Sequence, residues 1–152
     1  MDNKIKKKIE RLVEDFIKKT TFNITFEIKE NRDGGILLDM TTDQPKVLIG
    51  EEGETFWEIQ MLFNRMIKKM FEEDIHFSLD INQYKKNKES YLKELAGETA
   101  NRVALFKKEE YLPAMNAYER RIIHLELATR TDVITESTGE NQERRLVIKP
   151  AK

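Results

Sequence analysis

The feature that most constrains the fold is a repeated switch between two spacings of apolar residues. In residues 5–17 the apolar positions recur every three or four residues, as on one face of an amphipathic helix. In residues 22–28 they alternate with polar positions, as in a strand with one buried side. Both patterns return further along the 152-residue chain. The sequence therefore predicts an α+β protein.

The first half of the chain has the predicted order helix, strand, strand, helix, helix, strand. Asp43 is predicted to cap a short helix, with Pro45 in its first turn, and this helix ends at Gly50. A longer helix is predicted from about Glu54, and the alternation in residues 75–81 predicts the third strand. The predicted buried stripe of the longer helix consists of Phe56, Ile59, Leu62, Phe63, Met66, Ile67 and Met70.

The second half has the predicted order helix, helix, hairpin. A helix is predicted at residues 89–107, and Asn116 and Glu119 have the spacing of a capping box, so a second helix begins at Asn116. The core side of that helix is predicted to carry Tyr118, Ile122 and Leu125. Residues 133–137 and 144–149 are predicted to be strands, joined by a turn that contains Gly139.

The polar and basic stretch at residues 82–88 is the predicted domain boundary, with domains at residues 1–82 and 83–152. Charge differs between the two halves. Residues 1–81 hold 13 basic and 17 acidic residues, a net charge of −4, whereas the rest holds 14 and 11, a net charge of +3. The net positive charge is therefore expected in the second half of the chain.

Composition excludes several classes of function. Because the chain has no cysteine, it has no disulfide, thiolate metal site or thiol nucleophile. It has no apolar run of the roughly 18 residues that a membrane span needs, and no secretory signal pattern follows Met1, so we expect a cytoplasmic protein without membrane contact. The two histidines lie in different predicted domains, and no phosphate-loop, Rossmann or H-E-x-x-H pattern is present. We expect neither an enzyme nor a bound metal or cofactor.

The first candidate site is the four-residue connection Gly50, Glu51, Glu52 and Gly53 between two predicted helices. Glycines let a backbone approach a phosphate closely, and the helix that follows presents free N–H groups and the positive end of its dipole. A tight turn between helices that binds no ligand explains the same four residues.

The second candidate site is Arg120 and His124, which lie on one face of a helix because they are four residues apart. The planar guanidinium suits phosphate, and an imidazole donates a hydrogen bond or stacks on a base. The alternative is that Arg120 forms a surface ion pair and that His124 is a half-buried histidine with its hydrogen bonds satisfied.

Three stretches of the chain together resemble the Jag-type (SpoIIIJ-associated, KhpB-like) bacterial RNA-binding proteins. They are LIGEEGETFWEIQMLFNRM from Leu48, PAMNAYERRIIHLEL from Pro113 and TESTGENQERRLVIKP from Thr135. The resemblance implies a type II KH domain of order αββααβ, followed by an R-3-H (Arg-x-x-x-His) domain whose helices pack on a short antiparallel sheet. Members of the family commonly also carry an amino-terminal Jag-N domain, to which no stretch of this sequence corresponds.

The resemblance implies binding of single-stranded RNA without catalysis, with single-stranded DNA as the alternative ligand. It assigns backbone contacts to the Gly50–Gly53 loop and phosphate or base contacts to Arg120 and His124. Arg121, Arg144 and Arg145 are added on physical grounds, and only one of the last two is expected on a common surface because neighbours in a strand point to opposite faces. The family further suggests a post-transcriptional regulator or RNA chaperone linked to cell elongation and division, with a small single-KH protein as a possible partner.

One departure from the family concerns the loop, where relatives usually place at least one basic residue and this chain has Glu51 and Glu52. Two like charges at about 4 Å repel by about 1 kcal/mol in water and about 4 kcal/mol near a protein surface. We therefore expect the KH half to bind RNA weakly and the R-3-H half to supply most of the affinity. The alternative is that the acidic-loop half docks a protein partner instead of RNA.

Overall fold

The computed structural model describes residues 2–152, so Met1, the first residue of the predicted first domain, lies outside the described residues. The described chain forms five helices and two three-stranded sheets, which confirms the predicted α+β class. It divides into two compact units, one ending at Lys85 and the other covering Lys86–Lys152. Over residues 2–152, no helix has both the length and the apolar character that crossing a membrane requires.

The first unit has the element order αββααβ, as predicted for a type II KH domain. In its sheet β2 lies in the centre, antiparallel to β1 and parallel to β3. The parallel pairing follows from the two helices between β2 and β3, which return the chain to the end at which β2 began. The elements are α1 (Asn3–Lys18), β1 (Ile24–Glu30), β2 (Ile36–Thr42), α2 (Pro45–Ile49), α3 (Glu54–Phe71) and β3 (Phe77–Ile81).

The core of the first unit lies between the sheet and helices α1 and α3. On α3 only Phe56, Phe63 and Ile67 of the predicted stripe are buried, whereas Leu62 and Met70 are exposed. Leu62 precedes Phe63 by one residue and so points about 100° away around the helix. The apolar stripe predicted for α3 is thus wider than the part of the helix surface that is buried in the core.

The predicted cap of α2 is wrong by one residue. Gln44 occupies the N-cap position without a side-chain cap, and its own N–H donates to Thr42 Oγ1 at 3.2 Å. Pro45 lies in the first turn, as predicted. A hydroxyl at the end of β2 thus orders the start of this helix, and Asp43 does not cap it.

The second unit contains a three-stranded antiparallel sheet of order β4-β6-β5 with two helices. The two-residue strand β4 has no counterpart in the prediction, because so short a run shows no periodicity. The elements are α4 (Tyr84–Phe106), which begins within the first unit, β4 (Glu110–Tyr111), α5 (Ala117–Leu127), β5 (Val133–Thr138) and β6 (Arg145–Pro150).

Helix α4 begins five residues earlier than the predicted start at residue 89, so most of the predicted polar linker is helical. The reason is a carboxylate from the preceding strand. Asp80 Oδ1 accepts the Lys85 N–H at 3.2 Å and so satisfies one of the free donors of the first turn.

Helix α5 begins with the predicted capping box, because Glu119 N–H donates to Asn116 Oδ1 at 2.9 Å and Asn116 N–H donates to Glu119 Oε2 at 3.2 Å. Its predicted core side is only partly correct, because of the three predicted residues Ile122 alone packs against the core, and it is half-buried. Glu119, Ile123 and Leu127 are buried, whereas Tyr118 is 45% and Leu125 is 60% exposed. The capping box draws Glu119 inward, and this turns the helix by one residue position relative to the prediction.

Candidate nucleic-acid interface

An open groove of about 370 Å³ lies on the second unit between α5 and one face of its sheet. The residues of the predicted Arg-x-x-x-His motif are among its lining residues, and none of the lining residues is acidic. Helix α5 contributes four of them and the sheet three. The lining consists of Ala117, Arg120, Arg121 and His124 with Thr135, Ser137 and Leu146.

Arg120 is fixed by the backbone of the segment before α5. Its guanidinium donates from NH1 to the Met115 carbonyl at 2.7 Å, and Met115 N–H donates in turn to the Arg144 carbonyl at 3.1 Å. Among the described residues Arg120 has no ion pair, so the surface ion pair considered from the sequence is not present. The bond to a neutral carbonyl holds the side chain in place and leaves its positive charge uncompensated.

His124 lies one turn further along α5, and its side chain is held from the opposite wall of the groove. Its Nδ1 lies 2.7 Å from Thr135 Oγ1 on β5, within hydrogen-bonding distance. The residue is exposed and not half-buried. Because one ring nitrogen is engaged by the threonine, the ring orientation is set and Nε2 faces away from that bond.

The three added arginines have different surroundings. Arg121 is exposed on the groove, and over residues 2–152 it has no ion pair. Arg145 folds back on Glu143, with NH2 2.8 Å from Glu143 Oε2 and Nε 3.1 Å from the Glu143 carbonyl. Arg144 is exposed, and only its backbone carbonyl is bonded to the segment that holds Arg120. The structure thus brings together Arg120, Arg121 and His124, and neither Arg144 nor Arg145 lines the groove.

Thr135 and Ser137 are groove residues that the motifs in the sequence did not single out. Both lie on the face of β5 toward α5, two residues apart, as the alternation of a strand requires. The alternation of β5 was visible in the sequence. What it did not show is that α5 lies over this face.

Several other cations of the second unit form ion pairs with acidic residues next to them. Arg102 NH2 lies 2.8 Å from Glu110 Oε2, and Lys149 Nζ lies 2.6 Å from Glu136 Oε2. The hydrogen bond from Arg102 lowers the pKa of Glu110 below its ordinary value, and the bond to Glu136 raises the pKa of Lys149. Arg120 and Arg121 at the groove have no such ion pair among residues 2–152, whereas Arg102, Arg145 and Lys149 do.

The predicted glycine loop of the first unit is a tight, left-handed connection. Gly50, Glu52 and Gly53 have φ values of 76°, 51° and 79°, and Glu51–Gly53 form a single 3-10 turn. A side chain at Gly53 would collide with the Tyr84 hydroxyl, and one at Gly50 with Thr55 Oγ1. The turn therefore requires both glycines whether or not a ligand binds.

Both glutamates of the loop are exposed, and the basic residue at the start of α4 is held by other groups. Lys85 Nζ lies 5.7 Å and 5.6 Å from the ring centroids of Phe56 and Trp57 and donates to Gln60 Oε1 at 3.3 Å. Burial lowers the pKa of Lys85, an effect that the charge of Asp80 partly opposes. This lysine is packed as part of the first unit and is not a free surface charge.

Residues 90–150 match the family model of the R-3-H domain. The chain contains an R-3-H domain and is related to the Jag-type KhpB proteins. It is 33% identical to the RNA-binding protein KhpB of Clostridium symbiosum and 32% identical to that of Lactiplantibacillus plantarum, in each case over 111 residues. It is 29% identical to the Bacillus subtilis protein of the same name, also over 111 residues.

The aligned part covers 73%, 73% and 72% of this chain but 50%, 34% and 53% of the three relatives. The chain thus spans between about a third and a half of the length of the curated relatives it matches. Their names describe RNA-binding proteins and not enzymes. The Arg120 and His124 pair lies inside the matched R-3-H region, whereas the Gly50–Gly53 loop lies before it.

Proposed function

We propose that this chain binds single-stranded RNA through the groove of its second unit. The observation that carries the proposal is the set of Arg120, Arg121 and His124 along one wall of a groove with no acidic lining residue. The match to the R-3-H domain and the names of the relatives support it. The groove is open, as a site that follows an extended chain of nucleotides must be.

The chemistry of the three side chains suits a phosphodiester backbone. Arginine donates through a planar fork, and charge-assisted hydrogen bonds are about twice as strong as neutral ones. Arg120 and His124 are each already held by one protein bond, so little side-chain entropy remains to be lost on binding. Arg121 is exposed and adds charge at the rim of the groove.

The biological role belongs to the same proposal. A protein that holds single-stranded RNA without altering it acts as a post-transcriptional regulator or as an RNA chaperone. The link to cell elongation and division rests on the resemblance to Jag-type proteins. Single-stranded DNA offers the same phosphates without the 2′-hydroxyl, so it serves as the comparison ligand.

The test is a fluorescence-anisotropy titration of the full chain with short single-stranded RNA and DNA at several salt concentrations. We expect Arg120→Ala/His124→Ala to bind RNA about tenfold to a hundredfold more weakly than wild type. The slope of log affinity against log salt should flatten by about 0.7 for each phosphate that the variant no longer binds.

Arg102→Ala is the matched control for charge, because it also removes an arginine of the second unit but one that is paired with Glu110. It should leave both the affinity and the salt slope close to wild type. A wild-type chain that shows no salt-dependent binding would contradict the proposal. If Arg120→Ala/His124→Ala and Arg102→Ala lost RNA affinity equally, the loss would be due to net charge and not to the groove.

A second candidate function is docking of a small KH protein on the first unit. The observation that favours it is the exposure of Glu51 and Glu52, with Val47 54% exposed on the preceding helix α2. Acidic groups beside an apolar side chain suit a basic protein surface better than a phosphate backbone. Co-purification of such a partner that survives nuclease treatment and is lost in Glu51→Lys/Glu52→Lys would support this function.

A further inference from the structure

Strand β5 has a free edge whose orientation follows from two observations. Ala151 N–H donates to the Asp132 carbonyl at 2.9 Å, and Val133 lies opposite Pro150, which has no N–H to donate. Backbone groups alternate sides along a strand, so residues 134, 136 and 138 face β6. The N–H and C=O groups of Thr135 and Ser137 therefore point away from the sheet, and we call these groups the open edge of β5; Val133 has the same orientation but is buried.

The open edge and the groove share the same residues. Side chains and backbone groups both alternate with a period of two, so the residues of the open edge also face α5. Thr135 Oγ1 lies 2.7 Å from His124 Nδ1, and Ser137 lines the groove. The open edge therefore borders the groove: the side chains of Thr135 and Ser137 line the groove, and their unpaired N–H and C=O groups point outward in the plane of the sheet.

On the edge strand β3 of the other sheet, side chains accept two of the amides that point outward. Along β3, Leu79 N–H donates to Gln60 Oε1 at 3.1 Å and Ile81 N–H donates to Asp80 Oδ1 at 2.9 Å. In the described part of the chain no side chain does the same for the amides of Thr135 and Ser137. An exposed strand edge is a pairing surface that proteins usually protect, so the edge of β5 beside the groove is available for pairing.

We propose that the open edge of β5 hydrogen-bonds the base edges of the RNA held in the groove, and so gives this chain a base preference. The inference rests on the proposed RNA binding. The Watson–Crick edge of an unstacked base carries donors and acceptors side by side, which a strand edge matches. The side chains of Arg120, Arg121 and His124 take the phosphates, and the backbone N–H and C=O groups of Thr135 and Ser137 take the bases. An extended peptide would also pair with a strand edge, but the cationic groove favours a polyanion.

Ser137→Pro isolates the backbone contact. Proline removes the Ser137 N–H, which makes no bond within the sheet, and Pro150 already occupies the neighbouring strand β6. Ser137→Ala is the matched control, because it removes the hydroxyl and keeps the N–H. The ligands are oligo(U), oligo(C) and oligo(A) of equal length and an abasic ribose-phosphate oligomer.

We expect wild type and Ser137→Ala to distinguish the three homopolymers and to bind all of them more tightly than the abasic oligomer. Ser137→Pro should lose about two- to tenfold in affinity for the preferred base, with an unchanged salt slope. Equal affinities of wild type for all homopolymers and the abasic oligomer would overturn the inference while leaving RNA binding intact. Loss of salt-dependent binding in Arg120→Ala/His124→Ala tests the proposed function separately.

Amide hydrogen exchange of the wild-type chain gives a second test that does not depend on folding of the proline variant. In the free protein the amides of Thr135 and Ser137 should exchange quickly, and those of Ile134 and Glu136 slowly because they bond to β6. Adding the preferred oligonucleotide should slow Thr135 and Ser137. Unchanged exchange at both amides in the RNA-saturated protein would overturn the inference, as would protection only by an added extended peptide.

Discussion

The two units of this chain each have a three-stranded sheet, but they differ in how their charges are paired and in whether side chains cover the edge strands β3 and β5. In the first unit the loop carries two exposed glutamates, Lys85 is packed against aromatic rings, and the outer edge of β3 is closed by Gln60 and Asp80. In the second unit the groove arginines lack ion pairs among the described residues, and the edge of β5 is open. The chemistry of each surface therefore depends on which side chains are already occupied within the fold.

The arginines of the second unit differ in whether a carboxylate neutralises their charge. Arg120 bonds to a neutral carbonyl and keeps its charge, whereas Arg102 and Arg145 are paired with neighbouring carboxylates. A sequence motif thus shows whether the charge of an arginine is available for a ligand only when the groups bonded to that arginine are known. This explains why the glycine loop, although correctly located as a turn, gives weaker support for nucleic-acid binding than the Arg-x-x-x-His pair.

The largest effect on stability should come from replacing a loop glycine. This change tests whether the first unit needs the tight loop for folding. Gly53→Ala should lower the free energy of unfolding by about 2–4 kcal/mol, because the position has a φ of 79° and a Cβ would collide with the Tyr84 hydroxyl. Gly97→Ala in α4 is the control. Because an added Cβ would meet no heavy atom within 4 Å beyond the neighbouring residues and backbone of its own helix, this change should raise stability by about 1 kcal/mol. Denaturant unfolding compares them, and equal effects would show that the loop packing is not needed.

A smaller effect should come from reversing the charge of the loop. Glu51→Lys/Glu52→Lys should tighten RNA binding by about three- to tenfold at low salt and steepen the salt slope, since new phosphate contacts become available. Glu72→Lys/Glu73→Lys is the control, because both residues are exposed and Glu72, with a φ of 53°, matches Glu52 at 51°. If both pairs tighten binding equally in anisotropy titrations, the gain comes from net charge, and the comparison between the units is weakened.

The smallest effect concerns Lys85 and the pH dependence of stability. Burial holds the pKa of Lys85 below its ordinary value of 10.5, so the charged form is disfavoured in the folded state. The free energy of unfolding should therefore increase as the pH rises through the lowered pKa toward 10.5. Lys85→Met should remove this rise, whereas Lys69→Met, on the exposed side of α3, should keep it. Urea unfolding across the alkaline range measures both, and identical profiles would refute a structural role for this lysine.

Local patterns predicted much of the fold because helices, strands and turns follow from short-range spacing. The switch between the two periods predicted the αββααβ order, and the three-residue step from Asn116 to Glu119 predicted the capping box. The predictions that failed concern which residues contact others outside their own local pattern. Tyr118 and Leu125 are exposed because the capping box turns Glu119 inward, and α4 begins early because Asp80 accepts the Lys85 N–H.

For the candidate site, the sequence by itself determined that Arg120 and His124 share a helix face and that two glycines bound a tight turn, since both follow from backbone geometry over a few residues. Only the tertiary structure decided which charges stay uncompensated, that Thr135 and Ser137 face α5, and that the edge of β5 is open while that of β3 is closed. The physical reason is that ion pairs and strand edges join residues far apart in the chain, and no local spacing encodes whether a partner is present.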